Sequence, residues 1–121
     1  ELAQYILDKR IPLEICLLSN LHTGAVDKLE NHPFGILFKE KFRVTINTDD
    51  RLMSDNKMTK EFLKAVNYFK VSFDEIEKIT INSMKSAFIP YKERLRYIYD
   101  IIKPGYQKIR DQLTISKQNQ V

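Results

Sequence analysis

Phe42-Arg43-Val44-Thr45-Ile46, running without a break into Asn47-Thr48-Asp49-Asp50, is the stretch on which the fold turns. Its first half, 42–46, is apolar and β-branched, which suits a strand buried among neighbours. Its second half places two adjacent carboxylates where that strand must end. In parallel α/β folds the C-terminal ends of the strands face the ligand, so acidic residues there suggest a metal or a protonated group. An acidic turn, in which Asp49 or Asp50 caps the next segment, accounts for the spacing equally well. Spacing alone does not choose between them.

Upstream, Leu13 to Leu18 is a short apolar run with Glu14 as its only charge, the pattern of a parallel strand covered on both faces. Before it, residues 1–10 place Leu2, Tyr5, Ile6 and Lys9 along one helical stripe that Pro12 ends. Ser19 to Gly24 reads as loop, and Pro33 opens a short helix to about Lys41. The order helix, strand, helix, strand predicts an α/β fold with a parallel sheet, because each crossover carries a helix.

Downstream the pattern is helical. Thr59 can cap a helix running to about Lys70, and Ser72 with Glu75 forms a capping box for the next, reaching Phe88. Pro90 lies in the first turn of another helix, whose stripe of Leu95, Ile98, Ile101 and Ile102 should pack inward until Pro104 and Gly105 break it. Residues 116–121 read as a frayed polar tail. Two parallel strands leave unpaired edges, so the expectation is that the sheet is completed elsewhere, as in a βα barrel of about 250 residues. Glu1 opens directly into a helical pattern without Met, as in an excised piece, and any targeting segment could lie upstream.

Composition narrows the function classes. With 121 residues and 43% hydrophobic content, a core is possible without disulfides. The longest apolar run is interrupted by Ser19 and Asn20, too short to cross a bilayer. Cys16 is the only cysteine. It excludes an intrachain disulfide and multi-cysteine zinc sites, and it fits a reducing, cytoplasmic compartment. In mid-strand it reads as a small buried apolar residue. The net charge of +4 comes from the second half, where Lys and Arg are interleaved with acids along helical faces, as in Lys92-Glu93-Arg94. That is a solvated surface rather than a nucleic-acid site.

Taken together, Ile11-Pro12-Leu13-Glu14-Ile15-Cys16, Ser19-Asn20, Thr23-Gly24-Ala25-Val26, His32-Pro33 and Val44-Thr45-Ile46-Asn47-Thr48-Asp49-Asp50 closely resemble the adenosine deaminases, in order as well as in residues. Ile81-Asn82-Ser83 with Lys85-Ser86-Ala87-Phe88-Ile89-Pro90 resembles the same family's C-terminal helix and the turn after it. Many members have proline where this chain has Leu17 and Arg51, and Arg51-Leu52-Met53-Ser54 resembles a bacterial variant.

The resemblance implies the C-terminal portion of a TIM-type (βα)8 barrel, its last two strands and C-terminal helices, with all of 1–121 belonging to that one domain. It implies hydrolytic deamination of adenosine or 2'-deoxyadenosine to inosine and ammonia by a zinc-activated water. Asp49 then matches the carboxylate ligand of one Zn2+, and Asp50 the aspartate that hydrogen-bonds a ring nitrogen of the purine. The family's remaining histidine ligands, its catalytic glutamic acid and a further histidine have no counterpart here. His22 lies at a position the family does not use for metal, and His32 matches a histidine better suited to holding the loop to the helix start. The isolated segment should therefore be inactive and hold zinc weakly, its strand edges seeking the rest of the barrel or another copy.

Two rivals share part of this pattern. A deaminase acting on adenine or a modified adenylate would keep Asp49 and Asp50. A non-catalytic interaction module, or a receiver domain binding a divalent ion at strand ends, would need a complete sheet. Zinc deaminases that act on polynucleotides need Pro-Cys-x-x-Cys, which one cysteine cannot supply.

Overall fold

The computed structural model describes residues 1–118, and the chain divides into two compact units, Glu1–Ser83 and the part from Met84 onward. In the first unit, α1 (Leu2–Asp8) leads into β1 (Leu13–Ile15), α2 (Leu17–His22), a 3-10 turn at Leu29–Asn31, α3 (Phe34–Lys39), β2 (Val44–Ile46), α4 (Met58–Phe69) and most of α5 (Phe73–Ser86). β1 and β2 are parallel and adjacent, pairing Leu13 with Val44, Glu14 with Thr45 and Ile15 with Ile46. The backbone ladder extends past both ends: Leu13 N–H donates to the Arg43 carbonyl at 2.9 Å and Asn47 N–H to that of Ile15 at 2.8 Å.

The parallel α/β expectation holds, but β1 is shorter than the apolar run Leu13 to Leu18. At Cys16 the chain leaves the strand (φ −125, ψ 81), and Leu17 to His22, partly expected as strand and partly as loop, are helical. A buried acceptor on α4, described below, takes up the first N–H groups of this helix, and no local sequence signal announces it. Cys16 accordingly sits at the strand exit, half-buried rather than enclosed in mid-strand.

The core lies between the sheet and α2 to α5. Leu17, Phe34, Val44, Ala65 and Ile79 have no exposed surface. Phe34 stacks on Phe38 with ring centres 5.7 Å apart and meets Phe69 edge-on at 5.0 Å, which locks α3 onto α4. Gly35 permits that approach, since a Cβ there would lie 3.1 Å from the Phe69 ring. The stripe expected on α1 has no such cover: Leu2 is 72% and Tyr5 55% exposed.

Helix α4 begins at Met58 with Lys57 in the cap position, so Thr59 lies inside the first turn and does not cap it. The helix ends at Lys70 in the left-handed region (φ 58), where the N–H groups of Lys70 and Val71 return to the carbonyls of Val66 and Ala65. The next capping box is formed as expected: Ser72 N–H donates to Glu75 Oε2 at 2.9 Å and Glu75 N–H to Ser72 Oγ at 3.3 Å. Helix α5 then closes at Ser86, two residues short of Phe88.

In the second unit α6 (Tyr91–Arg96), a π-helical turn (Tyr97–Ile102) and α7 (Lys103–Gln118) succeed one another, with helical backbone angles at the junctions. The break expected at Pro104-Gly105 does not occur. Proline lacks the N–H of a regular helix and crowds the carbonyl four residues back. The wider turn just before it has already interrupted the regular ladder, so the chain stays helical. Ile98 on this run is buried, whereas Ile101 is 55% exposed, contrary to the inward stripe. Of the expected tail, Ser116 to Gln118 belong to α7, and residues 119–121 lie outside the described residues.

Glu75 carries a prediction. Its acceptance of the Ser72 N–H holds its carboxyl below the usual range. A depressed folded pKa contributes stability above the unfolded value and loses it as pH falls through the folded one. Glu75→Ala should therefore destabilise the complete protein near neutral pH, and the difference from the parent should shrink as pH falls below the usual carboxylate range in urea titrations.

Candidate functional site

At the C-terminal edge of the two-stranded sheet, the exits of β1 and β2 meet. Asp49 comes after β2 in the left-handed region at φ 53, a conformation Asp tolerates better than most side chains. Ser19, buried on α2, donates its hydroxyl to Asp49 Oδ2 at 2.5 Å. Among the described residues no other group touches that carboxylate by hydrogen bond, so Oδ1 is free to face a ligand. Asp50 is exposed and accepts the Met53 N–H on Oδ1 at 3.1 Å, closing the turn after it. The sequence left a ligand carboxylate and a turn cap as alternatives; the Met53 N–H on Asp50 is a turn bond of the second kind, and Asp49 takes the Ser19 hydroxyl instead.

Behind this edge lies a polar network that sequence reading missed. Glu61 on α4 has no exposed surface. Its Oε2 accepts the Leu17 N–H at 2.9 Å, while Oε1 accepts the Leu18 N–H at 3.1 Å and the Asn56 amide at 2.9 Å. Asn56, itself buried, also donates to the Thr48 carbonyl at 3.2 Å. The one available signal was a glutamate at position 61 followed by apolar Phe62, Ala65 and Val66, which turns an acid toward the face of α4 that must be covered.

His32 is a fixture of the loop and not a ligand. Its Nδ1 accepts the Phe34 N–H at 3.0 Å, so the proton resides on Nε2, which donates to Asn20 Oδ1 at 2.9 Å. His22 is exposed in the last turn of α2, where a loop was expected. Burial, with Asp49, Glu61 and Glu14 nearby, pushes the Cys16 thiol up and away from reactive thiolate.

One hard carboxylate at a strand end, with one oxygen held and the other open, suits a single position in a zinc shell. It does not make a shell alone. Among the described residues no three His, Cys, Asp or Glu side chains gather to hold a metal ion, and no helix is long and apolar enough to cross a membrane.

Residues 1–104 match the family model described as adenosine deaminase. The chain belongs to the adenosine deaminase family. An adenosine deaminase of Mycobacteroides abscessus is 53% identical over 105 residues, covering 87% of this chain and 29% of that protein. Adenosine deaminase 1 of Streptomyces coelicolor is 50% identical over 111 residues, covering 92% of this chain and 28% of that protein. The chain thus spans under a third of the curated deaminases it matches.

Among solved structures, an adenine deaminase of Arthrobacter aurescens superposes with a TM-score of 0.80 at 26% identity, over 87% of this chain and 32% of that one. The N6-methyl-AMP deaminase of Arabidopsis thaliana gives 0.74 at 27% identity, over 84% and 31%. The two parallel strands and their helices are therefore a portion of the deaminase TIM barrel, as the sequence led us to expect. The receiver-module and interaction-module alternative is overturned by the family match.

A pH dependence is expected for the deaminase loop. Burial lowers the His32 pKa from its ordinary 6.5, with Glu61 opposing. The folded state thus binds this proton less readily than the unfolded chain, and stability is complete above 6.5 and lost as pH falls through the folded value. Replacing it by His32→Gln should flatten the stability profile of the complete protein between pH 7 and 5. A profile as steep as the parent's would assign the dependence elsewhere.

Proposed function

We propose that this chain supplies the last two strands of an adenosine deaminase, contributing Asp49 as the carboxylate ligand of zinc and Asp50 as a purine-binding residue. The observation that carries the reading is the pair of adjacent carboxylates at the end of β2, differently anchored: Asp49 by the Ser19 hydroxyl, Asp50 by the Met53 N–H. Identities of 53% and 50% to curated adenosine deaminases favour adenosine and 2'-deoxyadenosine as substrates. The superposition on an adenine deaminase keeps adenine, or a modified adenylate, as the second reading, and a substrate panel on the complete enzyme separates them.

Zinc, when bound, is a Lewis acid that brings the pKa of water toward about 7. Asp49 would hold the ion, and the Ser19 hydroxyl on its Oδ2 restrains the carboxylate from rotating. Asp50 presents Oδ2 to a ring nitrogen of the base. That nitrogen is an acceptor in neutral adenine, so the bond requires a proton on one partner or the other. It orients the carbon bearing the exocyclic amine, which gains oxygen from water and releases ammonia to give inosine. The glutamic acid and histidine that move protons in this scheme come from outside the chain. A cytoplasmic setting and a part in purine salvage belong to the same reading, as does the absence of a nucleic-acid or membrane partner.

Asp49→Ala in the complete enzyme should abolish zinc retention after dialysis along with activity. Full zinc occupancy in that variant would sink the assignment. Asp50→Ala should keep its metal and lose about 3 kcal/mol of transition-state stabilisation, read as a drop in kcat/KM of roughly a hundredfold. An unchanged kcat/KM would refute the role.

The 121-residue chain alone should neither deaminate adenosine nor hold zinc tightly, because one carboxylate of a shell that usually needs three protein ligands cannot retain the ion. Its open strand edges and the uncovered Leu2 and Tyr5 should pair with the rest of the barrel or with another copy. Sedimentation and an ammonia-release assay check both halves. A monodisperse monomer with zinc-dependent deamination would overturn them.

A further inference from the structure

We infer that Glu61 is a positioning residue for the strand-end carboxylate, setting the Ser19–Asp49 contact from both sides; this rests on the reading of Asp49 as the zinc ligand. A glutamate on an amphipathic helix ordinarily faces water. Here it is fully buried, and its two oxygens accept three N–H donors: the backbone N–H groups of Leu17 and Leu18 and the amide of Asn56. A buried carboxylate persists only where such donors replace water.

The two arms of this network converge. Through Leu17 and Leu18 it anchors the segment whose next residue, Ser19, reaches Asp49 at 2.5 Å. Through Asn56 it holds the Thr48 carbonyl at 3.2 Å, in the peptide unit that joins Thr48 to Asp49. Donor and acceptor of the Ser19–Asp49 bond are thus tied to one side chain on a helix that belongs to neither strand exit. Asp49 has positive φ, a backbone conformation that persists where the surrounding structure holds it.

The test uses the intact, zinc-loaded enzyme that carries this segment. Glu61→Gln keeps the shape but presents an NH2 group where one of the N–H donors now points. Zinc release to a chelator, followed well below the unfolding temperature, should become 10- to 100-fold faster, the range seen when a partner behind a metal ligand is lost. Amide exchange at Leu17 and Leu18 should accelerate with it. Because Ser19→Ala removes the same final bond, adding it to Glu61→Gln should increase release less than it does alone.

A lowered unfolding midpoint with unchanged zinc release would make Glu61 a fold-stabilising residue only and overturn the inference, as would full additivity with Ser19→Ala. If Glu61→Gln does not fold, Asn56→Ser removes one arm, and unchanged release there overturns the inference equally. Asp49→Ala separates the two levels. Retained zinc in that variant sinks the ligand reading and this inference together, whereas lost zinc alongside normal release in Glu61→Gln sinks this inference alone.

Discussion

A single carboxylate, that of Glu61, joins the parts of the first unit that the sheet cannot join. β1 and β2 pair along only three residues each, and three-residue strands do not by themselves fix the course of the chain beyond their ends. The chain leaves β1 at Cys16, whose side chain makes no cap hydrogen bond, so the first N–H groups of α2 need an acceptor from elsewhere. Glu61 supplies it across 44 positions of sequence. Burying an ion in this way is tolerable because each oxygen is occupied, and removing it would leave backbone donors stranded in the core.

The legible parts of this molecule were those governed by local rules. The apolar run before Asn47-Thr48-Asp49-Asp50 gave β2, the Ser72 and Glu75 pair gave a helix start, and the helix-strand alternation gave a parallel sheet. The resemblance to adenosine deaminases assigns Asp49 and Asp50 the roles proposed above, where spacing alone could not choose. Around the strand exits, the features that escaped depended on long-range partners. Leu17 and Leu18 read as strand because they are apolar, and nothing near them reveals that an acid on α4 will draw their N–H groups into a helix. Ser19 read as loop for the same reason, so its bond to Asp49 was invisible.

His32 illustrates the opposite case, in which a chemically suggestive residue turns out to be architectural. Both ring nitrogens are engaged, one by the backbone of α3 and one by Asn20 on α2. The imidazole thereby links the helix after β1 to the helix before β2, through the residue next to the Ser19 that reaches Asp49. Polar groups that steady this edge are thus distributed over α2, α3 and α4, while the two aspartates stand on β2's exit alone. In a barrel this division lets the loops vary in sequence while the ends of the strands stay in place.

The π-helical turn before Pro104 has a consequence for reading the chain's end. Such a turn accommodates an extra residue per revolution, so everything after it is rotated by about 100° from where an uninterrupted α-helix would put it. Heptad-style bookkeeping carried across Tyr97–Ile102 therefore goes out of phase; within the turn itself Ile98 is buried and Ile101 stands exposed. Deleting one residue there would bring the two halves back into phase, but it would also return the Pro104 ring to a regular ladder that has no room for it. The insertion and the proline are accordingly a linked pair, each tolerable in the presence of the other.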